Sequence, residues 1–356
     1  MNPRHRFGIC MYGIQYATGA AGRGTAMANP DPLAADALLA LAIDAGLSSV
    51  EVPLTYVSAD LDVGGLTEYT TEARRHGVEV VVAGPNIMTA TDVERQIKLA
   101  GAIGATRFRC TSSGLLCGDR EPVGGLAGWG DYKRRVIARL RELAQVTTEH
   151  GVRIGVENHQ DCDSYDLVEI CDAVGSSEVG VTLDTGNPLS VAEDPIEFAR
   201  RVLPFLVDVH LKDYRMINTN EGYRLVHCAI GSGVIDFAAL WPILEERPEI
   251  PRGIEMAALS ERHIRIFTQA FWDGLGPRDA RTLAPVMKLV RDRGESADDE
   301  SWQTPIERWS IDQVESAAAV AWETARLRES IANLSAIESA YSGGTRVSGG
   351  RRSAEA

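Results

Sequence analysis

Residues Arg153–Asp161 read RIGVENHQD, and the end of that run decides how the rest of the chain is read. Ile154 and Val156 give it strand character, which stops abruptly at Glu157, Asn158 and His159. In an extended strand, side chains at i and i+2 share a face, so Glu157 and His159 point the same way, one rung apart. A carboxylate beside an imidazole at the C-terminal end of a strand suits a metal ligand next to a proton-transfer group. The plain alternative is a strand end reaching solvent.

The arrangement recurs downstream. VGVTLDTGN (179–187) is an apolar strand ending in Asp184, LVDVHLKD (206–213) carries His210 and Lys212 on one face, and RGIEM (252–256) places Glu255 at the end of another short strand. Upstream, 7–13, 48–54 (with Glu51 inside it), 78–84 and 106–111 read as strands one to four. Helical stretches at 30–45, 64–76, 92–103, 131–150, 164–174, 194–203, 234–246 and 277–293 alternate with the strands. That alternation predicts an α/β fold, a (β/α)8 TIM barrel over residues 1–294. The C-terminal strand ends of such a barrel converge on one mouth, so Glu157, Asp184, His210 and Glu255 are expected to meet there. Three carboxylates forced together repel unless a cation neutralises them. Three oxygens and one nitrogen suit Mn²⁺, Mg²⁺ or Co²⁺ better than a structural zinc.

Composition narrows the partners. The net charge is −14, from 36 basic against 50 acidic residues, a field that repels polyphosphate and argues against nucleic acid. The 44 % hydrophobic content supports a packed core, and no apolar run reaches the length of about 20 residues that crosses a membrane. MNPRHRFGIC has no signal-peptide core, and the six cysteines are scattered, so a cytoplasmic protein with reduced thiols is expected. Three long loops stand out. The first, 14–31, could bring Arg23, between two glycines, over a pocket. The second, 112–129, reads as a lid, and the third, 214–233, carries Arg224 and His227. Arg107 and Arg109 share one face of strand four, either the barrel lining or its outer surface. Beyond the barrel an acidic linker (295–312), a helix (313–341) with an apolar face for the barrel or another subunit, and a flexible tail (342–356) are expected.

As a set, ENH, LDTGN, VHLKD and IE resemble the xylose isomerase-like superfamily of sugar isomerases and epimerases, over about 7–293. The resemblance implies a divalent metal, Mn²⁺ before Mg²⁺ or Co²⁺, on Glu157, Asp184, His210 and Glu255. It also implies adjacent sugar oxygens bound to that metal and two carboxylates, Glu157 and Glu255 among them, as acid and base. His159 in GVENHQD, GRGTAMANPDP after strand one and ALSERHIRIF after strand eight are similar to the α subunits of bacterial C-glycoside deglycosidases. That branch implies a 3-oxo-glycoside substrate, loss of the C2 proton, expulsion of the aglycone from C1, and a small β subunit in a hetero-oligomer; a homo-oligomer is the other assembly considered. A metal-bound ketone acidifies the neighbouring C–H, and a neutral imidazole such as His159 is a suitable base; the alternative is a histidine that only orients a ligand. Lys212, Arg224, His263 and Arg23 are the expected substrate contacts. The same enediolate with its proton returned would make a ketose 3-epimerase or an aldose–ketose isomerase. A barrel that binds a sugar without catalysis is the third reading.

Overall fold

The computed structural model describes residues 5–25, 27–256, 261–296 and 316–349. Strands β1 (Gly8–Cys10), β2 (Ser49–Val52), β3 (Glu79–Asn86), β4 (Arg107–Thr111), β5 (Arg153–Glu157), β6 (Val179–Asp184) and β7 (Leu206–Leu211) run parallel around a ring. Two antiparallel strands, β8 (Tyr214–Thr219) and β9 (Gly222–His227), intervene before β10 (Arg252–Ile254) closes the barrel between β7 and β1. The expected closed eight-stranded barrel is therefore present. Helices α1 (Ala35–Asp44), α2 (Leu54–Val57), α3 (Val63–Arg75), α4 (Val93–Ala102), α5 (Gly125–His150), α6 (Ser164–Val174) and α7 (Pro195–Val202) follow the first six strands, and α8 (Phe237–Leu244) precedes β10.

Local chemistry explains the boundaries. The Asp62 side chain accepts from Gly65 N at the start of α3, Asp163 and Asp166 form a capping box on α6, and Asp194 caps α7 through Ile196 N and Glu197 N. Gly151 (φ 65°) and Gly175 (φ 69°) end α5 and α6 in the left-handed conformation that glycine adopts without steric cost. The helix expected from residue 30 begins only at Ala35. Along the strands, Ile154, Val156, Val181, Leu183, Val209 and Leu211 join the hydrophobic core. The alternate positions (Gly155 and Glu157, Thr182 and Asp184, Asp208 and His210) line the barrel interior.

Three expectations need correction. The stretch 214–233 is not a loop: β8 and β9 form a hairpin with a two-residue turn, joined by β11 (Glu261–Ile264) and β12 (Glu295–Ser296) into a four-stranded sheet. Gly222 (φ 153°) makes the turn possible, since a Cβ there would stand 2.1 Å from the Ile264 carbonyl oxygen. Second, α5 starts at Gly125, inside the expected lid. Third, the stretch expected to be the eighth barrel helix, 277–293, forms α10 (Ala280–Arg293), which packs on β8, and a short helix that precedes it, α9 (Gln269–Leu275), packs on α5.

The last helix, α11 (Ser316–Gly349), runs alongside α8 instead. It continues into the stretch expected to be a tail; 297–315, most of the expected linker, and 350–356 lie outside the described residues. Its polar side chains reach both ends of the barrel wall. Glu323 accepts from Tyr16 N and Ala17 N at 2.9 Å each, Ser330 Oγ accepts from Ile230 N at 3.0 Å, and Glu338 accepts from Arg6 N at 2.8 Å. Its own Ala319, Leu327 and Leu334 are buried. Burial pushes the Glu323 carboxyl up to about 7, against the opposing pull of the Ala17 and Tyr16 N–H groups. An unfolded glutamate titrates near about 4.3, so between about pH 4.3 and 7 the folded chain holds a proton that the unfolded chain releases. This contribution is complete below that window and is lost as pH rises through it. Glu323→Gln is accordingly expected to flatten the fall in stability between about pH 5 and 7, read as urea midpoints across that range.

Candidate metal centre

The strand tips deliver their side chains to one point. Glu157 is the last residue of β5, Asp184 the last of β6, His210 lies in β7, and Glu255 follows β10 directly. One donor atom from each lies within 4.8 Å of every other, and all four residues are buried. Neighbouring groups fix their orientation. Asn158, the middle residue of ENH, stitches β5 to β6: Asp184 N donates to Asn158 Oδ1 (2.7 Å), and Asn158 Nδ2 donates to the Asp184 carbonyl (3.0 Å). Asp184 Oδ1 accepts from Gly186 N (2.9 Å) and Asn187 N (3.2 Å). Lys212 Nζ pairs with Asp184 Oδ2 and lies 3.2 Å from Glu255 Oε2. Arg109, which faces the barrel interior, brings Nη2 to 2.5 Å from Glu157 Oε2. His210 turns Nδ1 towards Glu255 Oε2 (2.9 Å) and Glu157 Oε1 (3.7 Å), and Nε2 towards Glu51 Oε2 (2.6 Å).

The electrostatics follow from these contacts. Burial works against ionisation of Glu157, yet Arg109, His210 and His159 outweigh it and hold the carboxyl at about 2. Burial also opposes ionisation of Glu255, where Lys212 and His210 prevail and hold it well below the usual range. Burial pushes Asp184 up to about 6, with Lys212 pulling it down and Glu255 and Glu157 adding to the rise. On the far side of His210, burial and then Glu51 push Asp208 up to about 8, so it is held as the neutral acid. His210 loses basicity by burial, but Glu51 and Glu255 reverse this and draw positive charge onto the ring.

These residues fit a divalent cation. Glu157 Oε1, Glu255 Oε2 and His210 Nδ1 are buried and make no hydrogen bond among the described residues, and all three face the common point. Glu51, Glu157, Asp184 and Glu255 bring four formal negative charges against Arg109 and Lys212, and a doubly charged ion closes the difference. Hard oxygen donors with one imidazole suit the Mg²⁺ and Mn²⁺ class.

His159 follows at the same strand tip, its Nδ1 buried and without a hydrogen-bond partner among the described residues. The next residue, Gln160, is held at φ 74°, a conformation that costs a non-glycine residue energy and turns the chain sharply after His159. Gln160 Oε1 accepts from Cys117 N (3.1 Å), which ties this turn to the expected lid. That segment is bolted down. Arg120 is fully buried, stacks 4.2 Å above Trp129, pairs with Asp166 Oδ2 (2.6 Å) and donates to the Asp161 carbonyl (2.8 Å). Removing one partner of a buried pair strands the other charge. Arg120→Met is expected to cost about 3 kcal/mol in urea unfolding, the low end because Lys133 and Trp129 still reach Asp166.

The other expected contacts separate. Arg224 and His263 are cross-strand partners and share one face of the small sheet; His227 and Arg262 belong to the opposite face, with Tyr214 and the fully buried Leu225 and Tyr223. His227 is buried, its ring 4.6 Å from that of Tyr214, and burial followed by Lys212 and Arg262 holds it well below its usual pKa, as a neutral imidazole. Arg23 is exposed, donating only to the Gly19 carbonyl among the contacts found for it. Sequence reasoning missed Glu51, which carries no motif, and Tyr12, whose ring lies 5.6 Å from the Arg109 guanidinium.

The sequence pattern of the xylose isomerase-like TIM barrel matches residues 39–265. The chain belongs to that family. The 3-oxo-isoapionate decarboxylase of Pectobacterium atrosepticum is 26 % identical over 106 residues, which are 29 % of this chain and 38 % of that protein. The chain thus aligns with little more than a third of this curated relative. Among solved structures, the probable 3-DHS dehydratase AsbF of Bacillus anthracis superposes with a TM-score of 0.53 at 11 % identity, over 81 % of this chain and 100 % of that one. A D-tagatose 3-epimerase-like protein gives 0.52 at 17 % identity, over 81 % and 99 %. At such identities the superpositions show the fold alone. Family membership, the enzymes among these relatives and a buried centre of acids and imidazole make this xylose isomerase-like barrel an enzyme. No helix among its described residues is long and apolar enough to cross a membrane.

Proposed function

We propose that the protein is the catalytic α subunit of a cytoplasmic C-glycoside deglycosidase, a lyase that works with a small β subunit and cleaves the carbon–carbon glycosidic bond of a 3-oxo-C-glycoside. The observation that carries this reading is the division of labour in the site. Two-carboxylate epimerisation needs Glu157 and Glu255 as proton carriers, but Arg109 grips the first while Lys212 and His210 crowd the second. His159, at the same strand tip and outside the four candidate ligands, has its Nδ1 committed to no hydrogen bond among the described residues.

A divalent cation on Glu157, Asp184, His210 and Glu255, Mn²⁺ in first place, would polarise the C3 ketone and acidify the C2 proton. His159 takes that proton, and the C2–H electron pair becomes the C2=C3 bond of an enediolate. As the C3 carbonyl re-forms, the pair moves to C1=C2 and the bond from C1 to the aglycone breaks with its electrons on the aglycone carbon. The proton on His159 is then available to that carbon. Lys212 donates to Asp184 and lies 3.2 Å from Glu255, which leaves N–H capacity for negative charge developing on substrate oxygen. His227, neutral and buried, can hold a sugar hydroxyl as donor or acceptor.

The experiment is incubation of the Mn²⁺-loaded protein, alone and with the small subunit of a bacterial C-glycoside deglycosidase, with a 3-oxo-C-glucoside and with free ketoses. Release of aglycone is expected. Epimerised ketose without aglycone release would replace this function by a ketose 3-epimerase.

A further inference from the structure

Glu51 lies on β2, a strand that contributes no donor to the metal centre, and its side chain is buried inside the barrel. Its Oε2 is 2.6 Å from His210 Nε2, the ring nitrogen on the side away from Glu157 and Glu255. Its Oε1 is 3.8 Å from Arg109 Nε, and the same guanidinium reaches Glu157 Oε2 with Nη2 at 2.5 Å. One carboxylate therefore bonds one of the four candidate ligands directly and lies 3.8 Å, at the range of charge attraction, from the guanidinium that pairs with another.

We propose that Glu51 is a positioning residue for the metal centre: it keeps the His210 proton on Nε2, so that Nδ1 presents its lone pair to the cation, and its charge attracts the Arg109 guanidinium that pairs with Glu157. An acceptor at 2.6 Å from Nε2 needs a hydrogen there, so when a cation displaces the extra proton that the surrounding acids draw onto the ring, the nitrogen freed is Nδ1. Asp208, the other acid on that side, is 3.6 Å from Nε2 and too far to make this bond. The guanidinium has fixed N–H directions, so its close pairing with Glu157 through Nη2 leaves Nε turned towards Glu51 at 3.8 Å. Losing the carboxylate behind a ligating imidazole weakens metal binding by about 10- to 100-fold.

The inference rests on the metal reading of the site and not on any substrate, so the test uses Mn²⁺ alone. Calorimetric titration of the metal-stripped full chain is expected to give Glu51→Gln a Kd about 10- to 100-fold above the parent's, with the metal-free unfolding midpoint retained. Arg109→Met is expected to weaken binding too, and the double variant by less than the product of the singles, because both act through one network. A role in stability alone would lower the midpoint and leave the affinity unchanged; equal Kd values overturn the proposal. Should Glu51→Gln fail to fold, spectra of the ¹⁵N-histidine-labelled parent with Mg²⁺ decide: a proton on Nε2 of His210 supports it, and a proton on Nδ1 overturns it. A parent that binds no Mn²⁺ overturns the metal reading and this inference together.

Discussion

On the proposed function, replacing His159 by glutamine is expected to lower the rate of aglycone release by about 10²- to 10⁴-fold, the span over which a positioned general base contributes, and to leave Mn²⁺ uptake intact. The distinction matters because Glu157, His159 and Asp184 crowd one strand tip, where a damaged metal site would also abolish activity. Glutamine keeps most of the size of imidazole and offers a hydrogen-bonding group, but it cannot accept a proton near neutral pH. Parallel measurement of kcat and of bound manganese separates the outcomes. Loss of metal together with activity would make His159 an orienting residue. Full activity in the variant would return the proton transfer to Glu157 or Glu255 and with it the epimerase chemistry.

Truncation before Ser316 has the largest expected effect on stability. It uncovers Ala319's contact surface and the pockets filled by Leu327 and Leu334, and it strips partners from the backbone N–H groups of Tyr16, Ala17 and Ile230. Each buried leucine contributes about 2–5 kcal/mol and each orphaned buried N–H costs about 1–3, a sum comparable with the whole stability of about 5–15 kcal/mol of an ordinary domain. The truncated chain is expected to be insoluble or to lose its cooperative melt, as followed by the soluble fraction and by circular dichroism. A soluble, cooperatively melting product of altered particle size would instead make α11 an assembly contact.

Much of the barrel could be read from the chain because parallel strands buried on both faces leave short apolar runs, and because the acids stand where those runs stop. Glu157, Asp184, His210 and Glu255 were visible for that reason. Glu51 was not: it sits in mid-strand, and only the three-dimensional ring places it opposite His210. For Arg107 and Arg109, alternation showed that the two share a face but not that the face is the interior. The hairpin was mistaken for a loop although Tyr214, Met216, Leu225 and His227 alternate towards the buried face; the arginines between them and the Asn220–Glu221 turn read as irregular polar chain. That error also misplaced the basic contacts, since a loop has no register to divide Arg224 and His263 from His227 and Arg262. The eighth helix was misassigned because 280–293 has good helical character of its own, and nothing local reveals that it packs beside β8.

Glu338 closes on the backbone of Arg6 across 332 positions of sequence, and the strand that seals the ring against β1 is itself among the last to be made. A growing polypeptide leaves the ribosome with its amino-terminal strand unsheltered until the carboxyl-terminal segment emerges. Such distant pairings slow folding, because much loop entropy is lost before the contacts that compensate it can form. Closure of the wall therefore waits on the α11 segment, a consequence of the order in which the wall is assembled.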